Sequence, residues 1–167
     1  MANVDAPNGL KAVRHLTGGA VRTEEFKIAS GLSTAIFTGD CVKLLSTGYI
    51  DECDAGDRIL GVFAGCSYAN SSGEQVFSRQ WTASATTQGS VDVSADFADI
   101  GQLADIVATA GDTNTGQSKH EISGTTGTGT AGLRILGKYE EPNNAYGTNG
   151  VLEVQIYEHE LTFATGV

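Results

Sequence analysis

The chain has 167 residues, enough for one domain with a sizeable core and too few for two comfortable ones. Hydrophobic residues make up 40%, which excludes wholesale disorder, and a formal charge of −10 with only 10 Lys+Arg disfavours nucleic-acid binding. Twenty-two glycines against two prolines suit short strands joined by tight turns rather than a helical bundle.

In chain order, residues 1–20 read as an N-terminal arm and 21–167 as a β body. The first residues lack a basic start and an apolar run, so no secretory signal is expected, and no later run reaches bilayer-spanning length. Within the arm, Pro7-Asn8-Gly9 is a turn signal and Gly18-Gly19 a hinge-like pair. Leu10, Val13 and Leu16 fall at helical spacing, but the stretch is too short to hold a helix alone. Two readings stay open: an extended arm that gains structure on a partner, and a peripheral strand of the same domain.

The body then gives a series of strand signals. Phe26 and Ile28 alternate with Glu25 and Lys27. Val42 and Leu44 alternate with Cys41 and Lys43, before a turn at Thr47-Gly48 and a return strand at Tyr49-Ile50. Residues 59–64 form a nearly continuous apolar run, expected as a strand covered on both faces. Ser71-Ser72-Gly73 predicts a turn, followed by alternation from Val76 to Trp81, and Val91 with Val93 suggests a further strand. Ile100, Leu103 and Ile106 are spaced like a helix face, but Gly101 and nearby Asp residues reduce this to a loop or single helical turn. The Gly/Thr/Ser-rich stretch 111–132 predicts a polar surface loop. Strands are expected at 133–139 and 151–161, the latter the longest, with a turn at Asn149-Gly150 between them. Together these predict an all-β fold, a sandwich or barrel of short antiparallel strands. Arg58-Ile59-Leu60-Gly61 recurs as Arg134-Ile135-Leu136-Gly137, too short a match to prove duplication.

The chemical motifs are weak. Residues 127–132 spell a dinucleotide fingerprint, but a strand follows where the pyrophosphate needs a helix N-terminus. Asp51, Asp54 and Asp57 lack the remaining ligands of a calcium loop. Glu158-His159-Glu160 on a strand would point to alternate faces, and Ser118-Lys119-His120 lacks a nucleophile elbow. Asn70-Ser71-Ser72 is a glycosylation sequon, expected to stay unmodified without a signal peptide. Cys41, Cys53 and Cys66 are an odd count without metal-type spacing, expected as reduced, packed thiols. Trp81 reads as core, or with Phe77 and Arg79 as an interface anchor. With three scattered histidines, no catalytic, cofactor or metal residues are expected.

Several segments in order carry a resemblance: residues 13–19, 35–40, 42–44 and 56–66, then Ser72-Gly73, Phe77-Ser78-Arg79 with Trp81, and the closing 151–161 stretch. They are similar to the head decoration (capsid cement) proteins of tailed phages infecting aquatic bacteria. The likeness spans nearly the whole chain, although the part from Trp81 to Val107 is compressed and Thr82 stands where the family pattern has proline. The resemblance implies a β-rich homotrimer, made in the host cytoplasm and placed on the outer surface of the virion. There it would clamp neighbouring major capsid protein subunits, with no nucleic acid or membrane as partner. Leu10, Val13, Arg14, His15 and Leu16 are the candidate partner-binding residues. A carbohydrate-binding adhesin or tail-fibre module is the alternative, weakened by the lack of aromatic residues in 111–132.

Overall fold

The computed structural model describes residues 6–15, 18–70, 72–82, 94–95, 100–127, 129 and 131–162. The fold is all-β: among these residues there are strands and a single-turn 3-10 helix at Glu160–Thr162, but no α-helix. A first four-stranded sheet comprises β1 (Lys27–Ile28), β3 (Cys41–Leu44), β4 (Tyr49–Glu52) and β5 (Gly61–Val62) in the order β1-β4-β3-β5. Here β1 pairs parallel to β4, while β3 pairs antiparallel to both β4 and β5. Two-stranded pairs flank it: β2 (Ile36–Phe37) with β8 (Gln80–Trp81), and β6 (Cys66–Ala69) with β7 (Gln75–Ser78). The second four-stranded sheet is antiparallel, ordered β11-β10-β12-β14, from β10 (Leu103–Val107), β11 (Glu121–Gly127), β12 (Leu133–Lys138) and β14 (Leu152–Ile156). The short pair β9 (Ser94–Ala95) and β13 (Gly147–Thr148) completes the set.

Two apolar clusters place the first sheet between its neighbours. On one face Ile36, Val42, Ile50, Leu60 and Phe63 are buried together, with Leu44 and Trp81 packed against them. On the other, Cys41, Cys53 and Ile59 meet Ile106 and Leu133 of the second sheet, with Ile122, Val154 and Ile156 behind. Of the apolar run 59–64, Ile59, Leu60 and Phe63 are buried, Gly61 and Val62 are half-buried and Ala64 is exposed, so the expected cover on both faces holds for part of the run only. Its regular strand is only Gly61–Val62, and Ile59 and Leu60 before it serve opposite clusters. Strand β3 is likewise sandwiched: Val42 and Cys41 are both buried, so its alternation separates two cores rather than core from water.

Three expectations are corrected. The 100–106 stretch is neither a loop nor a helical turn but leads into β10. Leu103, Ala104 and Ile106 are all buried, so β10 is covered on both faces and its apolar spacing resembles a helix; the extra residues of the register shift opposite Asp105 lie on β11, where Thr126 pairs with Ala104 and Ile122 with Ile106. The 111–132 stretch is not one loop, since it contains β11, seven residues long. This strand lies at the sheet edge, where Gly124, Thr125 and Gly127 meet water, so its composition mimics a loop. Finally, the closing strand covers Leu152–Ile156 only and is shorter than β11. Val91 and Val93 lie outside the described residues. The β6–β7 hairpin turns where expected, with the Asn70 side chain accepting from the Ser72 and Glu74 N–H groups and Gly73 at φ +81°.

The acidic turn after β4 has a structural job. Lys43 reaches Asp57 at 2.6 Å and Asp54 at 3.6 Å, and the Asp57 carboxylate also accepts from the Asp54 N–H. Burial pulls the Asp57 carboxyl up, but the Lys43 hydrogen bond, the Asp54 N–H and the Lys43 charge outweigh it and leave it below its ordinary value. All three cysteines are free; Cys41 and Cys53 are buried and Cys66 half-buried. Burial chiefly pushes the Cys41 thiol up to about 12 and raises Cys53 and Cys66 as well, so none has thiolate character at neutral pH.

Candidate functional site

The most concentrated chemistry lies where three segments of the chain meet. Asp40 ends the turn before β3, with its Oδ2 accepting from the Phe37 N–H at 2.6 Å. Glu52 closes β4, and Ser118 with His120 precede β11. The Asp40, Ser118 and His120 side chains are buried. His120 Nε2 lies 2.8 Å from Glu52 Oε1 and 3.4 Å from Asp40 Oδ1, while His120 Nδ1 accepts from the Cys41 N–H at 3.3 Å. Because Nδ1 accepts, the ring proton sits on Nε2 and is donated to Glu52. The Ser118 hydroxyl accepts from the His120 N–H at 2.9 Å.

This acid–histidine cluster was not legible in the sequence: its members are spread from 40 to 120, and Ser118-Lys119-His120, weighed only as a nucleophile motif, gives no sign of Asp40 or Glu52. Its chemistry is that of a clasp. Both ring nitrogens of His120 are engaged without contacting the Ser118 hydroxyl, so no nucleophile–base pair forms. The Asp40, Glu52 and His120 ligand-type atoms do lie within 4.8 Å of one another. Metal ligation through Nε2 would require the proton on Nδ1, where it would face the Cys41 N–H, the reverse of the usual metal–histidine arrangement. The donor set is thus arranged for hydrogen bonds. Adding zinc or manganese, or a chelator, is expected to leave the melting temperature unchanged; a rise on metal addition in a thermal melt contradicts this.

Burial is the main cause that pushes the Asp40 carboxyl above its ordinary 3.8, with the Glu52 charge adding to it, while His120, the Ser118 hydroxyl and the Phe37 N–H pull it down. The folded chain therefore holds this proton more tightly than the unfolded chain. Its contribution weakens folding as pH rises from about 4 through the folded value. Asp57 has the opposite sign, stabilising above about pH 4 and losing that contribution as pH falls through its folded value. Asp40→Asn is expected to remove the first slope and Asp57→Asn the second. Urea unfolding between about pH 3 and pH 7 checks both, and an Asp40→Asn profile overlaying wild type contradicts the assignment.

The clasp also roots the arm. Leu10 donates its N–H to the Gly39 carbonyl at 2.8 Å and packs its side chain against the second cluster. Gly9, at φ +68°, lies so close that a methyl group there would sit 2.4 Å from Ser118 Cβ and 2.7 Å from the Gly39 carbonyl oxygen. Of the candidate partner-binding residues, Leu10 is thus an anchor inside the chain's own fold. Val13, Arg14 and His15 are exposed, and Arg14 pairs with Glu153 of β14. Leu16 lies outside the described residues. The described residues from Ala6 to Phe26 form no strand, so the peripheral-strand reading does not hold for them. Trp81 is half-buried against the first cluster with its ring edge-on to Tyr68, whereas Phe77 is 82% exposed.

Fold and site together define an all-β protein with a buried polar clasp holding the root of a largely exposed segment. No family model, curated protein or solved structure matches the chain. No helix of the described residues is long and apolar enough to cross a membrane.

Proposed function

We propose that the chain is a structural virion protein that decorates the icosahedral capsid of a tailed phage. It sits on the outer surface of the shell as a homotrimer, bridges neighbouring major capsid protein subunits, and works without catalysis. The observation that carries this reading is the arm: Lys11–His15 and Gly18–Lys27 are exposed throughout, yet their root is fixed by the Gly9–Gly39–Ser118 contact. A held base with an unburied, partly apolar length suits a segment that completes its packing on another surface. The resemblance of the sequence to decoration proteins names that surface as a capsid.

The net charge of −10 agrees with a place away from packaged nucleic acid. Several copies of a modest contact on one trimer multiply into firm attachment, which suits a clamp on a pressurised shell. Cryo-imaging of the tailed-phage particle that encodes the chain tests this directly. Density for the β body outside the shell at sites between capsomers is expected; particles whose exterior lacks it overturn the reading. A glycan array separates the carbohydrate-binding alternative.

A further inference from the structure

We infer that Asn8-Gly9 is a self-modification site: Asn8 deamidates through a cyclic imide, and the isoaspartyl product unseats the root of the arm. Asparagine is a labile residue, and most so before glycine, which has no side chain to shield its backbone nitrogen. The chain has two such pairs, Asn8-Gly9 and Asn149-Gly150, and the fold treats them oppositely. Gly150 donates its N–H to the Gly147 carbonyl at 3.2 Å and Asn149 is half-buried, so that nucleophile is tied up. Asn8 is exposed, and among the described residues neither its side-chain amide nor the Gly9 N–H makes a hydrogen bond. Asn8 also lines a cavity of about 290 Å³ with Asp112, Ser118 and Lys119, polar and roomy enough to admit the water that the second step consumes.

The chemistry needs no cofactor and no oxidant. The Gly9 nitrogen gives up its proton and attacks Asn8 Cγ. The new C–N bond closes a five-membered ring, and the side-chain nitrogen leaves with that proton as ammonia. Water then opens the ring. Cleavage at Cγ gives aspartate in an unaltered backbone, whereas cleavage at the backbone carbonyl routes the chain through Cβ and Cγ as isoaspartate. The second product lengthens the backbone by one carbon, about 1.5 Å of bond. The root has no room for it. Gly9 sits at φ +68°, where an added methyl group would overlap Ser118 Cβ and lie 2.7 Å from the Gly39 carbonyl oxygen. From the other side, a methyl group on Gly39 would lie 3.2 Å from the Asn8 carbonyl oxygen and 3.3 Å from Gly9 Cα. Isoaspartate therefore displaces Gly9 from Ser118 and breaks the bond from the Leu10 N–H to the Gly39 carbonyl. The inference rests on the geometry of the root alone, whether or not the arm docks on a shell.

Ageing the purified full chain in mildly alkaline buffer tests it. Enzymatic methylation of the isoaspartyl carboxyl group, followed by peptide mapping, reads the modification, and amide exchange at Leu10 reads the root. Label is expected in the tryptic peptide 1–11 at least about fivefold faster than in the peptide carrying Asn149, the factor set by one hydrogen bond that must break first. Leu10 is expected to lose protection in step with the label while the β12–β14 ladder keeps its own. Asn8→Gln, which keeps an amide at an exposed position, is expected to show neither change, separating Asn8 from Asn3 in the same peptide. Label in peptide 1–11 no faster than at Asn149 overturns the inference. So does label that persists in Asn8→Gln, or labelled chain in which Leu10 stays protected.

Discussion

Replacing His120 with alanine is expected to destabilise the fold by about 3 kcal/mol, which for a chain of this size lowers the melting temperature by roughly 6–12 °C. The imidazole supplies the proton that Glu52 accepts and the acceptor for the Cys41 N–H. Its removal strands both groups, and Asp40 Oδ1 already has no hydrogen-bond partner. Leaving buried polar groups unpaired costs more than the net worth of the bonds, so the loss exceeds that of an ordinary surface change. The damage should be directional. Ser118 and Gly39 contact Gly9, so amides at the arm's root are expected to exchange faster while the β12–β14 ladder keeps its protection. Thermal melts combined with amide exchange check both parts. A melting temperature within a degree or so of wild type would show that the cluster is not the clasp described.

Shell attachment should respond to the arm far more than stability does. The double change Val13→Asp with Arg14→Glu is expected to weaken capsid binding by roughly a hundred-fold or more, with little change in melting temperature. Both side chains are exposed, and the Arg14–Glu153 pair that is lost contributes at most about 1 kcal/mol at such a surface. On the proposed trimer each site would lose its contact at once, so a roughly tenfold loss per site compounds to about a hundred-fold when two sites engage and about a thousand-fold when all three do. Co-sedimentation of the purified chain with capsid shells provides the measurement. Binding equal to wild type would remove the arm from the contact surface. Deleting residues 1–17 is a poorer probe, because it also strips Leu10 from the second apolar cluster.

The all-β class was legible because glycine-rich turns and short alternating runs leave no room for helices. The turn at Thr47-Gly48 and the hairpin at Ser72-Gly73 were visible in residue type alone. Alternation failed where burial is two-sided: Cys41 and Val42 both point into cores, so their pattern could not reveal which sheet lay on which side. Spacing also misled at β10, since burial on both faces covers Leu103, Ala104 and Ile106 alike and leaves intervals that resemble a helix face. Composition misled at β11, whose edge position permits Ser, Gly and Thr where a central strand would need Val or Ile. The clasp was illegible for a different reason. Asp40, Glu52 and His120 are joined by topology rather than by any local motif, and a lone histidine in a Ser/Lys context carries no sign of its partners.

That topology also fixes an order of events. The bond from the Cys41 amide to His120 spans 79 residues of chain, and the one from His120 to Glu52 spans 68. Closing loops of this length comes only after most of the sheet pairing between them exists, which places such β proteins among millisecond-to-second folders. Until that closure the arm has no fixed take-off direction. Under the proposed function, a nascent molecule would become competent to dock only once its own interior is finished.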